Sequence, residues 1–337
     1  MKRTTIKDIA SKLEISQSTV SRALSNHPDI SERLKELVNL TAREMKYRPS
    51  LAALHLKRGT NKSIALIIPE VISFFYPSLI HGIEEVMHQQ GYTLIILPTN
   101  DTLSREKESL EIAYDQDVAG VILALSKETS DLDHLTILQE NNTPIILVDK
   151  VIPDAGYTCI TIDDYKVSYQ MVQYLYKIGC RTIAGLFGRS TLSITHYRYK
   201  GFLQALKDLG LNTNPSLSAF IENLQDVGPQ VSLILNEYHP DGLYIMTDEI
   251  MFGVMPTLSK LKIKVPESIS LMAISDGKYA PYMIPSVSHM KHDGYEMGSI
   301  CAQKMIQYIN AKKNNLPWKT AEHILMNTNI VLMESTR

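Results

Sequence analysis

Apolar residues recur along this chain at two different periods, and the change of period divides it. Over the first sixty residues the period is helical. Ile6, Ile9, Ala10 and Leu13 share one face, which predicts a helix over Ile6–Leu13. Glu14 and Ile15 form a turn. Val20 and Leu24, with small Ala23 between them, are then the inward positions of a second helix, Gln17–Leu24. Thr4 or Thr5 can cap the first helix and Ser16 the second, because a hydroxyl oxygen accepts from an otherwise unpaired backbone N–H. A third helix is predicted over Ile30–Lys46, with Ser31 as cap and Leu34, Leu37, Val38, Thr41, Ala42 and Met45 as its inner stripe. Tyr47-Arg48-Pro49 ends it, since the residue before proline avoids helical geometry. Ser50–Lys57 is a short apolar segment before the breaker Gly59. A segment that short does not hold a helix alone in water and needs a partner surface.

From Ser63 onward, continuous apolar runs alternate with helical stripes. Ser63–Pro69 reads as a strand buried on both faces, and Gly91–Thr99, Val118–Leu125, Pro144–Asp149, Cys159–Ile162, Thr182–Phe187, Gly242–Met246 and Ile269–Ile274 as further strands. Between them lie helical stretches: Pro77–Gln90, Leu103–Gln116, Leu132–Glu140, Asp164–Lys177, Arg198–Leu209, Val227–Glu237 and Glu249–Leu261. Gly294–Ala311 is a late helix, and Ala321–Leu332, with alternating apolar residues, a terminal strand. The repetition is β-α-β with right-handed crossovers and parallel sheets. It restarts after the Pro/Gly-bearing connection Ile152–Tyr157, which suggests two lobes with a cleft between them.

Charge sharpens the division. The net charge is -2, yet residues 1–60 hold 12 Lys+Arg against 6 Asp+Glu, leaving 22 against 30 for the remainder. A basic head on an acidic body suits a polyanion partner at one end only. On the second helix the outward residues are Gln17, Ser18, Ser21 and Arg22, with Thr19 beside them. Arg pairs with guanine O6 and N7, and Gln with adenine N6 and N7, so this face can read base edges in a major groove. An ordinary solvated helix face is the plainer interpretation, and the adjoining segments weigh against it.

The three cysteines, Cys159, Cys180 and Cys301, lack metal-ligand spacing and read as reduced core residues. The first twenty residues carry charged and polar side chains throughout, unlike a signal peptide, and no apolar run reaches membrane-spanning length. A cytoplasmic protein without a membrane partner is expected. Neither cofactor nor metal is indicated, and an enzyme is not expected. There is no G-x-S-x-G elbow, P-loop or strand-following G-x-G-x-x-G, and the ten histidines show no H-E-x-x-H spacing.

The motifs TIKDIA, STVSRAL, ISERLKELV and YRPSLAA, in this order, make the chain resemble the lactose-repressor (LacI/GalR) family of bacterial transcription regulators, over essentially its whole length. The resemblance implies an all-α helix-turn-helix headpiece (1–49), a hinge helix and linker (50–60), and an α/β two-lobed periplasmic-binding-protein-like domain (61–337). Lobe 1 would take about 61–161 and 292–320, and lobe 2 about 162–291 and 321–337, with chain crossings near Ile162, Lys291 and Thr320. The implied DNA contacts are Thr5, Ser16, Gln17, Ser18, Thr19, Ser21, Arg22, Asn26, Ser31, Tyr47, Ala53 and Leu56. Leu56 matches the leucine that members wedge into the minor groove, and Leu54 replaces their usual Arg.

Ligands in such sheets sit beyond the carboxyl ends of strands. That rule selects Phe75 and Tyr76 in the loop Ser73–Tyr76, Asp101 after the second strand, Ser126 after the third, and Asp149 with Lys150 after the fourth. The resemblance adds Arg198, which matches a ligand-binding arginine, His196, where a further arginine is common, Thr247 of Thr247-Asp248, and Asp276 of Ser275-Asp276. Phe74 stands where the family usually has proline. The expected effector is a sugar or another polyhydroxylated molecule, with a nucleobase as the alternative. The expected function is a homodimeric regulator, most simply a repressor, that binds double-stranded operator DNA and is switched by that effector. No heptad tail follows the terminal strand, which suits a dimer rather than a tetramer. The rival readings are a solute-binding protein without a DNA role and a small-molecule enzyme. The acidic, cleft-bearing body alone would fit the former, but the basic head would not.

Overall fold

The computed structural model describes residues 4–47, 61–72, 74–152, 156–318 and 321–336. The proposed hinge Ser50–Lys57, with Ala53, Leu54 and Leu56, lies outside the described residues, as does Ser73. The chain divides into two compact units, Met1–Asn61 and Lys62–Arg337.

The first unit is built from α1 (Ile6–Leu13), α2 (Gln17–Leu24) and α3 (Glu32–Glu44). Thr5, rather than Thr4, caps α1, and Asp8 returns a bond to the Thr5 N–H at 2.7 Å, closing a capping box. Glu14 adopts the left-handed conformation at φ 53°, and this tight turn delivers Ser16 to cap α2 by accepting from Thr19 N–H at 3.0 Å. Ile9, Ala10, Val20, Ala23, Val38 and Ala42 are the core, with Ile6, Leu13, Leu24, Leu34, Met45 and Tyr47 packed around them. The third helix is shorter than its apolar pattern suggested. Ile30 precedes the Ser31 cap and packs on the core from the turn. Leu37, expected inward, is 46% exposed, because two short neighbouring helices cover only a narrow stripe of α3.

The second unit holds two six-stranded sheets. In chain order its elements begin β1 (Ser63–Ile68), α4 (Phe75–Gln89), β2 (Thr93–Pro98), α5 (Leu103–Asp115), β3 (Gly120–Leu123), α6 (Thr136–Glu140), β4 (Ile145–Val148) and β5 (Thr158–Ile162). There follow α7 (Asp164–Lys177), β6 (Ile183–Phe187), α8 (Ser193–Asp208), β7 (Ser218–Phe220), α9 (Val227–Tyr238), β8 (Gly242–Ile245), α10 (Asp248–Lys260), β9 (Ser270–Ser275) and β10 (Ser288–Lys291). Last come α11 (Gly294–Lys313), β11 (His323–Met326) and β12 (Ile330–Val331). The first sheet has the order β11-β5-β4-β3-β1-β2 and the second β12-β10-β9-β8-β6-β7. All neighbours run parallel except β10 and β12. Strands β1, β3, β4 and β6 are buried along nearly their whole length, which is why their sequences read as unbroken apolar runs.

The terminal segment corrects the expected lobe boundaries. Ala321–Leu332 is two strands, not one. His323–Met326 pairs with Cys159–Ile162 in the first sheet, whereas Ile330 and Val331 pair with β10 in the second. The third crossing is therefore Asn327-Thr328-Asn329, after β11, and not Thr320; three polar residues carry the chain from one lobe to the other.

Helix α11 returns to the first lobe and packs on α4 through small residues. A Cβ at Gly82 would run into the Tyr295 carbonyl oxygen, and one at Gly298 into the Leu79 carbonyl oxygen. Backbone atoms cannot yield there without separating the helices. Gly82→Ala is expected to lower stability by about 1–3 kcal/mol or more, as overpacking does. Thermal unfolding reads this directly, and an unchanged melting temperature would contradict the close contact.

Candidate functional site

The first candidate surface is the outer face of α2. Gln17, Ser18 and Arg22 are exposed, Thr19 and Ser21 half-buried. Val20 and Ala23 are buried beneath them, so the polar face is fixed by the packing of the opposite one. Ser16 is committed to the cap and also bonds the hydroxyls of Ser18 at 2.7 Å and Thr19 at 2.8 Å. Arg22 joins none of the ion pairs formed among the described residues of this unit, so its guanidinium is available to an outside acceptor. Thr5, Asn26 and Ser31 are exposed at the helix ends, and Tyr47 is half-buried against the core.

The second is a cavity of about 180 Å³ in the larger unit, at the carboxyl ends of strands from both sheets. From the first lobe Phe75 and Tyr76 open α4 into it. The Phe75 ring lies over His292 at 4.2 Å, and the buried Tyr76 hydroxyl donates to Asp149 Oδ2 at 3.1 Å. Burial and the adjoining Asp149 hold the Tyr76 phenol well above the usual range, so it stays a donor. Lys150 reaches Asp101 at 3.2 Å. From the second lobe Arg198, 3% exposed, donates through Nε to Asp164 at 2.7 Å and through a terminal nitrogen to the Met246 carbonyl at 3.0 Å. Thr247 caps α10. Asp276 accepts from Ser78 of the first lobe at 2.6 Å, a bond between lobes.

Two buried groups here have strongly shifted acidities. Burial pushes the Asp248 carboxyl up to about 7, with Ser275 and the Asp276 N–H opposing and the Asp276 charge adding to the rise. Burial pulls His292 down to about 4, so its imidazole is neutral. Among the described residues Asp248 Oδ1 and His292 Nε2 are both buried without a hydrogen-bond partner, the latter 3.9 Å from Asp149 Oδ1. Beside the cavity, Phe74 stacks on Phe252 at 4.6 Å and meets Tyr279 edge-on at 4.9 Å, joining the α4 loop to the second lobe.

Comparison with known proteins assigns both parts. The family model described as periplasmic binding proteins and sugar binding domain of LacI family matches residues 61–316, and that of bacterial regulatory proteins, lacI family, matches residues 5–50. The chain belongs to the LacI family. The HTH-type transcriptional regulator RegA of Clostridium saccharobutylicum is 27% identical over 328 residues, covering 96% of this chain and 98% of its own. The HTH-type transcriptional repressor CytR of Escherichia coli K12 is 26% identical over 296 residues, 87% and 86% of the two chains. A lac repressor dimer bound to operator and the anti-inducer ONPF shares the fold, with a TM-score of 0.84 at 19% identity over 99% of both chains. This LacI-family chain is thus a DNA-binding transcriptional regulator with a helical head and a two-lobed body. Its relatives are regulators rather than enzymes. Among the described residues no helix is long and apolar enough to cross a membrane.

Within this LacI-family body, Phe75, Tyr76, Asp149, Lys150, Arg198, Thr247 and Asp276 wall one cavity, from elements far apart in sequence. Three expected residues do not. Asp101 turns back to accept from the Lys127 N–H at 2.9 Å and from Lys150, behind the wall. Ser126 is buried, its N–H donated to Glu106 Oε2, and it lines a neighbouring hollow. His196 is exposed; it precedes Arg198 by two residues, about 200° around a helix of 3.6 residues per turn, and so faces away. Four titratable residues of the wall were missed as ligand positions. Asp248 and Glu249 lie beside the chosen Thr247, Glu70 follows β1 after Pro69, and His292 directly follows β10. The strand-end rule finds Glu70, but β10 is polar at three of its four positions and gave no strand from which to find His292.

Proposed function

We propose that this protein is a homodimeric cytoplasmic repressor whose grip on an operator is switched by a small polar molecule, a sugar in the first instance, held between the lobes of its body. The observation that carries this reading is the make-up of the cavity wall. Tyr76 and Asp149 come from the first lobe, Arg198 and Asp276 from the second. A ligand touching both walls favours one arrangement of the lobes over another, and only such differential affinity can move a conformational equilibrium. The sugar-binding description of the matching family model supports the ligand class.

At the head, Gln17, Ser18, Thr19, Ser21 and Arg22 are assigned to base edges, and Thr5, Ser16, Asn26, Ser31 and Tyr47 to the flanking backbone, where contacts position without specifying. Ala53 and Leu56 are assigned to a hinge that pairs with its copy on DNA, Leu56 as a minor-groove wedge. On an operator selected for the protein, Arg22→Ala is expected to weaken specific binding by about 1–3 kcal/mol while affecting unrelated duplexes far less. Fluorescence anisotropy measures both. Equal affinity of the two proteins for the operator removes Arg22 from the readout.

A further inference from the structure

The charge of the cavity narrows the class of effector, an inference that rests on reading this cavity as the effector site. Five carboxylates wall it: Glu70, Asp149, Asp248, Glu249 and Asp276. The two cationic side chains there are already engaged, Lys150 by Asp101 at 3.2 Å and Arg198 by Asp164 at 2.7 Å. His292 is neutral. Carboxyl groups thus outnumber the unengaged cationic side chains in this wall, and Glu70 and Asp248 take up protons more readily than ordinary carboxylates. The N-terminus of α10, whose backbone N–H groups would otherwise attract an anion, is occupied by Asp248 and Glu249 in its first turn. Burial raises the Glu70 carboxyl, and the charge of Glu249 adds to the rise. The Lys150 charge opposes that rise without cancelling it.

An independent observation points the same way. Asp248 is 5% exposed, and its Oδ2 accepts from the Asp276 N–H at 3.2 Å. Asp248 lines the cavity, and among the described residues its buried Oδ1 has no hydrogen-bond partner. A buried carboxylate oxygen without a donor is costly, and the cost is removed by a ligand that brings both a hydrogen and a positive charge. A hydroxyl brings only the hydrogen. A phosphate or carboxylate on the ligand would worsen the repulsion.

We propose that the effector carries a protonated amine on a polyhydroxylated frame, as an amino sugar does, with the ammonium group against Asp248 and the hydroxyls bonded to Asp149, Asp276 and Arg198. Charge-assisted bonds of this kind are stronger than neutral ones, and they separate an amine from the corresponding alcohol in the same cavity.

The test is calorimetric titration of the full chain with D-glucosamine, D-galactosamine and D-mannosamine, each beside its parent hexose and its N-acetyl derivative. At least one amine is expected to bind about tenfold tighter than its parent, with the uncharged N-acetyl form no better than the parent. In Asp248→Asn, which keeps the shape and loses the charge, that preference falls to about twofold or less. Circular dichroism of the variant establishes that it is folded. Parent hexoses binding as tightly as the amines would overturn the amine assignment and leave a sugar-responsive cleft intact. Binding of nucleosides alone would also overturn it, with the cleft still an effector site. Heat from none of these compounds would overturn both the amine and the ligand-switched reading.

Discussion

Arg198→Ala is expected to destabilise the protein by about 3–5 kcal/mol, the usual result of removing one partner from a buried ion pair. Arg198 is 3% exposed, and it is the partner of Asp164 and of the Met246 carbonyl. Burial raises the Asp164 carboxyl, and Arg198 is what holds that rise in check. Without the guanidinium, Asp164 remains buried with its charge unanswered and is driven toward its protonated form. A carboxyl whose folded pKa lies above its unfolded value stabilises at low pH and loses that contribution as pH rises. The variant should therefore recover part of its stability on acidification, and Arg198→Ala combined with Asp164→Asn should lose less than Arg198→Ala alone. Urea unfolding of the two variants at matched pH decides this. A single variant within about 1 kcal/mol of the parent would show that the pair is not buried as described.

Asp248→Asn is expected to act in the opposite direction. The Asp248 carboxyl, ordinarily near 3.8, is pushed to about 7 by burial, with the charges of Asp276 and Glu249 adding to the rise. In the ligand-free protein its contribution is intact below pH 4 and is lost as pH climbs through 7. At about 1.4 kcal/mol per pH unit, the cost of holding it ionised at pH 8 approaches about 4 kcal/mol. The asparagine variant lacks that cost, so it should be the more stable protein above pH 7. Its advantage should shrink steadily as pH falls toward 4. His292 works against this trend in the parent: its folded pKa near 4 lies below the ordinary 6.5, so its contribution is lost as pH falls from 6.5 to 4. Because both proteins keep His292, the difference between their unfolding curves isolates Asp248. No pH dependence in that difference would mean the carboxyl is solvated.

Much of this architecture was readable because it is local. The stripe Ile6, Ile9, Ala10 and Leu13 and the cap Ser16 report on residues a turn away, and the capping bond of Ser16 is present. The runs Ser63–Ile68 and Ile145–Val148 are apolar because parallel strands in these sheets are covered on both sides. What escaped depends on distant partners. In β10, Ser288 is buried because its N–H meets Ser335 Oγ at 2.8 Å and its hydroxyl meets the Met333 carbonyl at 3.1 Å, some 45 residues away. No local periodicity announces that strand, and with it His292 was lost from the site. The three-residue β7 is too short to leave a pattern. The alternation in Ala321–Leu332 was real, but it could not disclose that its two halves join different sheets. At the cleft, strand ends and the family resemblance located Tyr76, Asp149, Arg198 and Asp276, whereas helix phase moved His196 out.

The central claim is that a basic three-helix head reads a DNA sequence on behalf of a two-lobed sensor, and selection from a randomised duplex pool with the full-length protein tests it most directly. The account predicts convergence on a near-palindrome of two inverted half-sites, one for each recognition helix of a dimer. A pool that fails to converge, with binding that depends on salt but not on sequence, would contradict it.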